Sequence, residues 1–387
     1  MIGRREFLAA SALTMSGVFS KSIAAGSTVA ENLPHDQFDK LAEAARTDLK
    51  APGMAYGVVR DGSAALRRGL GVRELGGTEP VTPQTLFHMA SLSKPFVATV
   101  IAQRVEQGRL HLSQRLTEVL PEFRIDDPRA GAITVENLLT HTSGLPDVQE
   151  FHWDKPEYDA AALQRYLDGL SHTRLLFAPG DGFNYSDIGF EVLARIIEVI
   201  DGVPFETAAE RAIFAPLKMK RSTFLFPEAY RSQVATPHNV DSQGNVSPSP
   251  VFPYNRPHAG SSTLLSCVDD MLRWVKFNAN GGVLEGTRII SPETTRRLLA
   301  PHPFEIKQER YPAGVKIALS WFVLSHGQQT LFLHPGSDLG FNAICMFSLA
   351  KRCGLIASVN TRTDQGPGRL LEFAYAALDA GLFTTAG

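Results

Sequence analysis

The stretch M-A-S-L-S-K-P-F, Met89 to Phe96, sets Ser91 and Lys94 three positions apart at the head of an apolar run. The same S-x-x-K spacing recurs at Ser348 to Lys351, so spacing alone does not select a nucleophile. Context separates the two. Val97, Val100, Ile101 and Val105 recur at helical spacing and Gly108 is a stop signal, which predicts a helix from Ser91 to Gly108. Ser348 instead ends an apolar strand-like run, with Lys351 in the following turn, where nothing fixes their geometry. Residues three apart on a helix share a face, with Cβ atoms roughly 5–6 Å apart, so Lys94 can reach Ser91. A helix N-terminus also offers free N–H groups and a positive dipole end to developing negative charge. Pro95 falls in the first turn, where its missing donor costs little. A lysine accepts a proton from serine only when neutral, which burial or nearby cations promote; Phe87, Met89 and Phe96 are the expected apolar surroundings. The same letters also describe Ser91 as a helix N-cap with a solvated Lys94, and the stretch alone leaves both readings open.

The chain around it has 387 residues, 44% of them apolar, with a formal net charge of −2 and no block of like charges. That supports a sizeable core and gives no electrostatic footprint for nucleic acid or an anionic membrane. A small molecule or short peptide is the expected partner. The N-terminus reads M-I-G-R-R-E-F-L, and Arg4-Arg5 followed by Phe7-Leu8 predicts a twin-arginine export signal over about residues 1–25. Its apolar centre, Leu8 to Phe19, is too short to span a bilayer, and small residues at Ser22 to Ala25 suit cleavage. A periplasmic or secreted protein without a membrane anchor after cleavage is expected. The three cysteines, Cys267, Cys345 and Cys353, are too few and too oddly placed for a disulfide framework and read as core thiols.

Asp61-Gly62 between two apolar runs predicts a hairpin over residues 54 to 75. Helices are expected at residues 132–140, 160–170, 187–200 and 269–278, and an extended loop at 231–258. Strands are expected at 315–324, 330–334, 341–348 and 354–359, closed by a helix at 369–382. Strands at both ends and helices between them predict one antiparallel sheet carrying the terminal helices, with a mostly helical lobe. Residues 31–385 then form a single domain, with about 35–90 and 255–385 in the sheet lobe and about 91–254 in the helical lobe. The cleft between lobes is the natural binding place, lined by the loop 231–258 and residues 146–179.

Two further motifs bear on the cleft: N-Y-S-D-I-G-F-E, with Tyr185 just before a helix, and F-L-H-P-G-S-D, with His334 and Gly336 at a strand end. In order, S-L-S-K, Y-S-D and H-P-G resemble the serine β-lactamase and penicillin-binding protein superfamily. The similarity is greatest to its class C β-lactamase, D-alanyl-D-alanine carboxypeptidase and family VIII esterase branch (peptidase S12-like). L-F-H-M-A-S-L-S-K-P-F, I-T-V-E-N-L-L-T-H-T-S-G-L-P and A-G-S-S-T-L-L-S-C-V-D-D-M extend it over residues 35 to 380. The resemblance implies an α+β, β-lactamase/transpeptidase-like fold and a serine hydrolase that forms an acyl-enzyme without metal or cofactor. It makes Ser91 the nucleophile and Lys94 its proton partner, with Tyr185 acting as, or sharing, the general base and later protonating the leaving group. It places the oxyanion hole at the backbone N–H groups of Ser91 and Ser337. His141, in H-T-S-G-L-P, reads as a structural residue ending a helix.

Two positions depart from that pattern. Asp187 stands where Tyr-x-Asn has asparagine, and an ionised aspartate accepts but cannot donate. It is expected to bind a cationic or hydroxyl group of the substrate, or to pair with Lys94. His334 stands where lactamases of the branch carry the lysine of Lys-Thr-Gly, and a neutral imidazole holds a carboxylate less well. The expected substrate is therefore a small ester, an amide or a D-amino-acid peptide, with at most slow β-lactam turnover. A class C-like β-lactamase, or a non-catalytic binding or sensing protein on the same fold, is the alternative. No G-x-S-x-G or H-E-x-x-H string supports another hydrolase class.

Overall fold

A computed structural model describes residues 35–304, 306–308, 311–363 and 365–382; the expected export signal lies outside them. Asp61 and Gly62 take φ of 50° and 73°, the left-handed pair that closes a two-residue hairpin. Gly53–Arg60 (β1) and Ser63–Gly71 (β2) accordingly pair antiparallel. Lys316–Ile317 (β3), Phe322–His326 (β4), Gln329–Asp338 (β5), Phe341–Ser348 (β6) and Cys353–Val359 (β7) complete the sheet. Its order is β2-β1-β7-β6-β5-β4-β3, so the two ends of the chain meet at β1 and β7. The expected strand 315–324 is broken: Ser320 at φ 75° turns the chain, and Ala318 N–H bonds back to Trp321 O. The strand expected at 330–334 runs on to Asp338. β4 follows β5 only as far as Leu333, so from His334 onward β5 pairs with β6 alone. Pro335, which has no N–H to give a second neighbour, is tolerated on that one-sided stretch.

Five helices frame the sheet and the site: His35–Asp48 (α1), Ser93–Glu106 (α2), Asp187–Asp201 (α3), Val268–Ala279 (α4) and Gly366–Ala377 (α5). Strand periodicity assigns the two faces. Met54, Tyr56 and Val58 of β1 join Phe38 of α1 and Phe373 of α5 in one core, while Ala55 and Val59 join Val268 and Leu272 of α4 in the other. Cys345 belongs to the α4 side and Cys353 to the terminal-helix side, and in register they face Ile356 and Ser348. All three cysteines are buried and free.

The helical lobe is built on α2, which is buried on every side from Ser93 to Arg104 rather than along one stripe. The helix starts at Ser93, two residues later than expected, with Leu92 as its N-cap. Shorter helices span Val135–Leu139 and Ala162–Asp168, and the region 231–258 contains a small hairpin, His238–Val240 with Val246–Pro248. The last helix opens at Gly366 instead of Arg369. Among the described residues no helix is long and apolar enough to cross a membrane.

Candidate active site

Ala90, at φ 49°, turns the chain so that Ser91 leads into successive tight turns before α2. Leu92 N–H bonds to Met89 O (3.1 Å), Ser93 N–H to Ala90 O (3.0 Å) and Lys94 N–H to Ser91 O (3.1 Å). Ser91 thus stands just ahead of the helix rather than inside it. Ser93 clamps this turn: its hydroxyl donates to Ala90 O (2.7 Å) and accepts from Leu264 N–H (2.9 Å). The competing Ser348–Lys351 pair closes an ordinary hairpin, with Lys351 N–H at 3.4 Å from Ser348 Oγ.

Lys94 is wholly buried. Its Nζ lies 2.5 Å from Asp187 Oδ1, donates to Ser261 O at 3.0 Å and sits 4.8 Å from the centre of the Tyr185 ring. A buried ammonium needs such a partner, because removing it from water unpaired costs several kcal/mol, on the order of its whole attraction to a counter-ion. Asp187 is 1% exposed, and of its two expected roles the pairing with Lys94 is the one this ion pair bears on. The aromatic rings beside Lys94 are not the ones expected. Phe96 stacks on Trp274 (3.9 Å) and Phe87 meets Phe341, whereas the rings near Nζ are Tyr185 and Phe190.

Asp187 is held by the start of α3. Ser186 caps the helix, accepting from Gly189 N–H, and Asp187 N–H donates to Asp147 Oδ1 at 2.8 Å. Tyr185, immediately before, stacks on His141 with centres 4.4 Å apart and planes 25° from parallel. His141 Nδ1 also accepts Ser186 N–H (3.1 Å), and the residue sits at φ 57° just past the helix Val135–Leu139. It does end a helix, but it also braces the tyrosine. The H-T-S-G-L-P motif marked it only as a structural helix end.

His334, Gly336 and Asp338 alternate along β5, one face of which meets the helical lobe. His334 is fully buried, 6.3 Å from Tyr185 between ring centres. Its Nδ1 donates to Pro335 O (2.7 Å), which leaves the lone pair on Nε2, a buried atom with no protein partner among the described residues. A Cβ on Gly336 would lie 2.2 Å from Met89 O, so only glycine lets β5 press against the segment carrying Ser91. Ser337 is the next residue on that strand. Asp338 takes Trp153 Nε1–H at 3.1 Å and lies 3.4 Å from His88 Nε2, and Phe252 packs on His88. The segments 146–179 and 231–258 therefore each bring a ring to this end of β5.

Burial, and then the nearby Lys94 charge, push His334 down to about 3. In the unfolded chain it titrates near 6.5. Folding thus excludes a proton that the unfolded chain binds below that value, so this group favours the fold fully above pH 6.5 and loses that contribution as pH falls toward 3. The expected slope is ~1.4 kcal/mol per pH unit over that window. Urea denaturation of native and His334→Gln proteins between pH 4 and 7 checks it: the variant's stability should fall less steeply as pH drops.

The chain as a whole is similar to known proteins. The sequence model of the family described as Beta-lactamase matches residues 38–380. The chain is 31% identical to penicillin-binding protein 4 of Amycolatopsis lactamdurans over 66% of its own length and 67% of that protein's. It is 28% identical to esterase EstB of Burkholderia gladioli over 65% and 72%. Among solved structures, the octameric penicillin-binding protein homologue from Pyrococcus abyssi superposes with a TM-score of 0.74 at 24% identity, covering 90% of this chain and 78% of that one. A class C β-lactamase superposes with a TM-score of 0.72 at 22% identity, covering 89% and 95%. The fold is the β-lactamase/transpeptidase-like α+β fold. The chain belongs to the Beta-lactamase family, and with it to the serine hydrolases of the β-lactamase and penicillin-binding protein superfamily.

Proposed function

We propose that the protein is an esterase or D-amino-acid peptidase that works through an acyl-enzyme on Ser91. Ser91 Oγ attacks the carbonyl carbon while Tyr185 takes its proton. The oxyanion that forms is met by the backbone N–H groups of Ser91 and Ser337, on two segments that Gly336 lets approach closely. Tyr185 then returns the proton to the leaving oxygen or nitrogen as the C–O or C–N bond breaks. A water molecule attacks the ester on Ser91, passing a proton to Tyr185, which returns it to Ser91 Oγ as that oxygen leaves and the acid is released. Lys94, fixed by Asp187, serves as a cation beside Tyr185 and not as the base.

The observation that carries the substrate class is His334. Buried and pushed down to about 3, it is neutral across the working range and offers no fixed charge to a β-lactam carboxylate. A charged hydrogen bond contributes about 1.5–3 kcal/mol, roughly 10- to 100-fold in binding. Similarity to esterase EstB fits this reading. Similarity to penicillin-binding protein 4 fits a chain that β-lactams can acylate without efficient turnover. With the Arg4-Arg5 signal, we place the activity in the periplasm or outside the cell.

The test is kcat/KM on three substrates: p-nitrophenyl esters, D-aminoacyl anilides and a chromogenic cephalosporin. One of the first two is expected to exceed the third at least 10-fold. Efficient cephalosporin hydrolysis would overturn the assignment. Failure of all three to turn over, with no adduct on Ser91 by intact-protein mass spectrometry, would favour a binding protein on this fold.

A further inference from the structure

Behind Lys94 lies a second acid that the chemistry above does not use. Glu191 sits one helical turn beyond Asp187 on α3, so both carboxylates leave the helix on the same side. It is completely buried. Its Oε1 accepts from Ser261 Oγ at 2.5 Å and lies 3.2 Å from His258 Nδ1, while Oε2 is buried with no protein partner among the described residues. Phe151 and Tyr166 pack on the His258 ring at 4.7 and 4.8 Å, closing the pocket with aromatic surface. Burial pushes the Glu191 carboxyl up, against the opposing pull of His258 and Ser261. An acid in so dry a place is costly unless it fixes something.

What it fixes is Ser261, and Ser261 holds Lys94. The Ser261 hydroxyl bonds to Glu191 and its carbonyl accepts from Lys94 Nζ at 3.0 Å. An ammonium has three N–H donors. Ser261 O accepts from one of them and Asp187 Oδ1 lies beside the ammonium as its ion-pair partner at 2.5 Å, so these two groups together set where the ammonium sits. We propose that Glu191 is a positioning residue for acylation: by locking Ser261 it fixes the carbonyl that holds Lys94 and so sets where that ammonium stands relative to the reacting groups. This rests on the reading of Ser91 as nucleophile, and a displacement of about 1 Å in such a group slows a reaction by roughly 10- to 100-fold.

Glu191→Gln keeps an acceptor but weakens the lock, and Ser261→Ala removes the link without altering the carbonyl. The rate at which a fluorophosphonate labels the protein, followed by intact-protein mass spectrometry, is measured for native, each single variant and the double variant. Each single variant is expected to label 10- to 100-fold more slowly with KM for an ester changed little, and the double variant no more slowly than the worse single one. The Lys94 ammonium signal in 15N-lysine NMR, identified by its loss in Lys94→Met, is expected to shift in both variants. Lower melting temperature with unchanged labelling and an unmoved ammonium signal would reduce Glu191 to a structural role and overturn the proposal. So would losses that multiply in the double variant. If the native protein is not labelled, it is the Ser91 reading that fails, and the ammonium signal alone then decides whether Glu191 governs Lys94.

Discussion

Ser91→Ala will abolish acylation and leave the fold standing. The bonds that shape the turn around Ser91 run through backbone groups and through the hydroxyl of Ser93, not through Ser91 Oγ. Removing that oxygen is therefore expected to change stability by less than about 1 kcal/mol, as for an ordinary substitution away from a structural bond. Activity should fall by about 10^4-fold or more, the loss seen when a hydrolase is stripped of its nucleophile. Two companions sharpen the test. Ser93→Ala leaves Leu264 N–H without its acceptor, which costs about 1–3 kcal/mol, yet it should still form an adduct with a fluorophosphonate. Ser348→Ala should label like the native protein. An adduct that survives in Ser91→Ala and vanishes in another serine variant would move the nucleophile elsewhere.

The residues that were readable in the sequence share a property: their chemistry depends on near neighbours. Asp61-Gly62 closes its hairpin by local backbone preference, and Ser91 and Lys94 are one turn apart. The ordered motifs around Tyr185 and His334 then carried the family resemblance. What stayed hidden depends on contacts across the chain. Asp187 could be listed with two roles, but only folding brings it to Lys94, on a different helix. His141 looked like a helix end because local pattern reports its backbone; that its ring braces Tyr185 is a tertiary fact. Glu191 and Ser261 lie within motif stretches and His258 just before one, but nothing in those letters marks them as partners, because they sit on two segments that meet only behind Lys94. The boundary errors have the same origin. The α2 helix looked as though it began at Ser91, but Ala90 takes a positive φ and the turn delays the helix until Ser93. β5 looked short because Pro335 and Gly336 break a strand pattern. It continues because only one neighbour needs hydrogen bonds there and because Gly336 leaves room for Met89 O.

The largest effect on stability is expected at the Lys94–Asp187 pair, where charge and packing are separable. Lys94→Met keeps the apolar stem and removes the cation, stranding Asp187 in a site where it is 1% exposed. Breaking a buried pair from one side typically costs about 3–5 kcal/mol, a large part of the roughly 5–15 kcal/mol by which domains are stable, because a buried charge loses its counter-charge. Asp187→Asn should cost less, since Lys94 keeps the Ser261 carbonyl and gains a neutral amide oxygen in place of the carboxylate. It should also alter the pH dependence and substrate preference of the enzyme, as it leaves the Lys94 charge uncompensated beside Tyr185. In Lys94→Met/Asp187→Leu both charges are gone, and replacing a buried pair by apolar groups is often neutral. Urea midpoints of the four proteins should therefore show the double variant recovering most of the stability lost by Lys94→Met, while fluorophosphonate labelling stays as slow as in that single variant. If the double variant is no more stable than Lys94→Met, the two charges do not depend on each other for burial. If it regains labelling, Lys94 has no part in the chemistry. Recovery of the fold without recovery of the reaction is the result that assigns the cation to catalysis and its carboxylate partner to keeping it there.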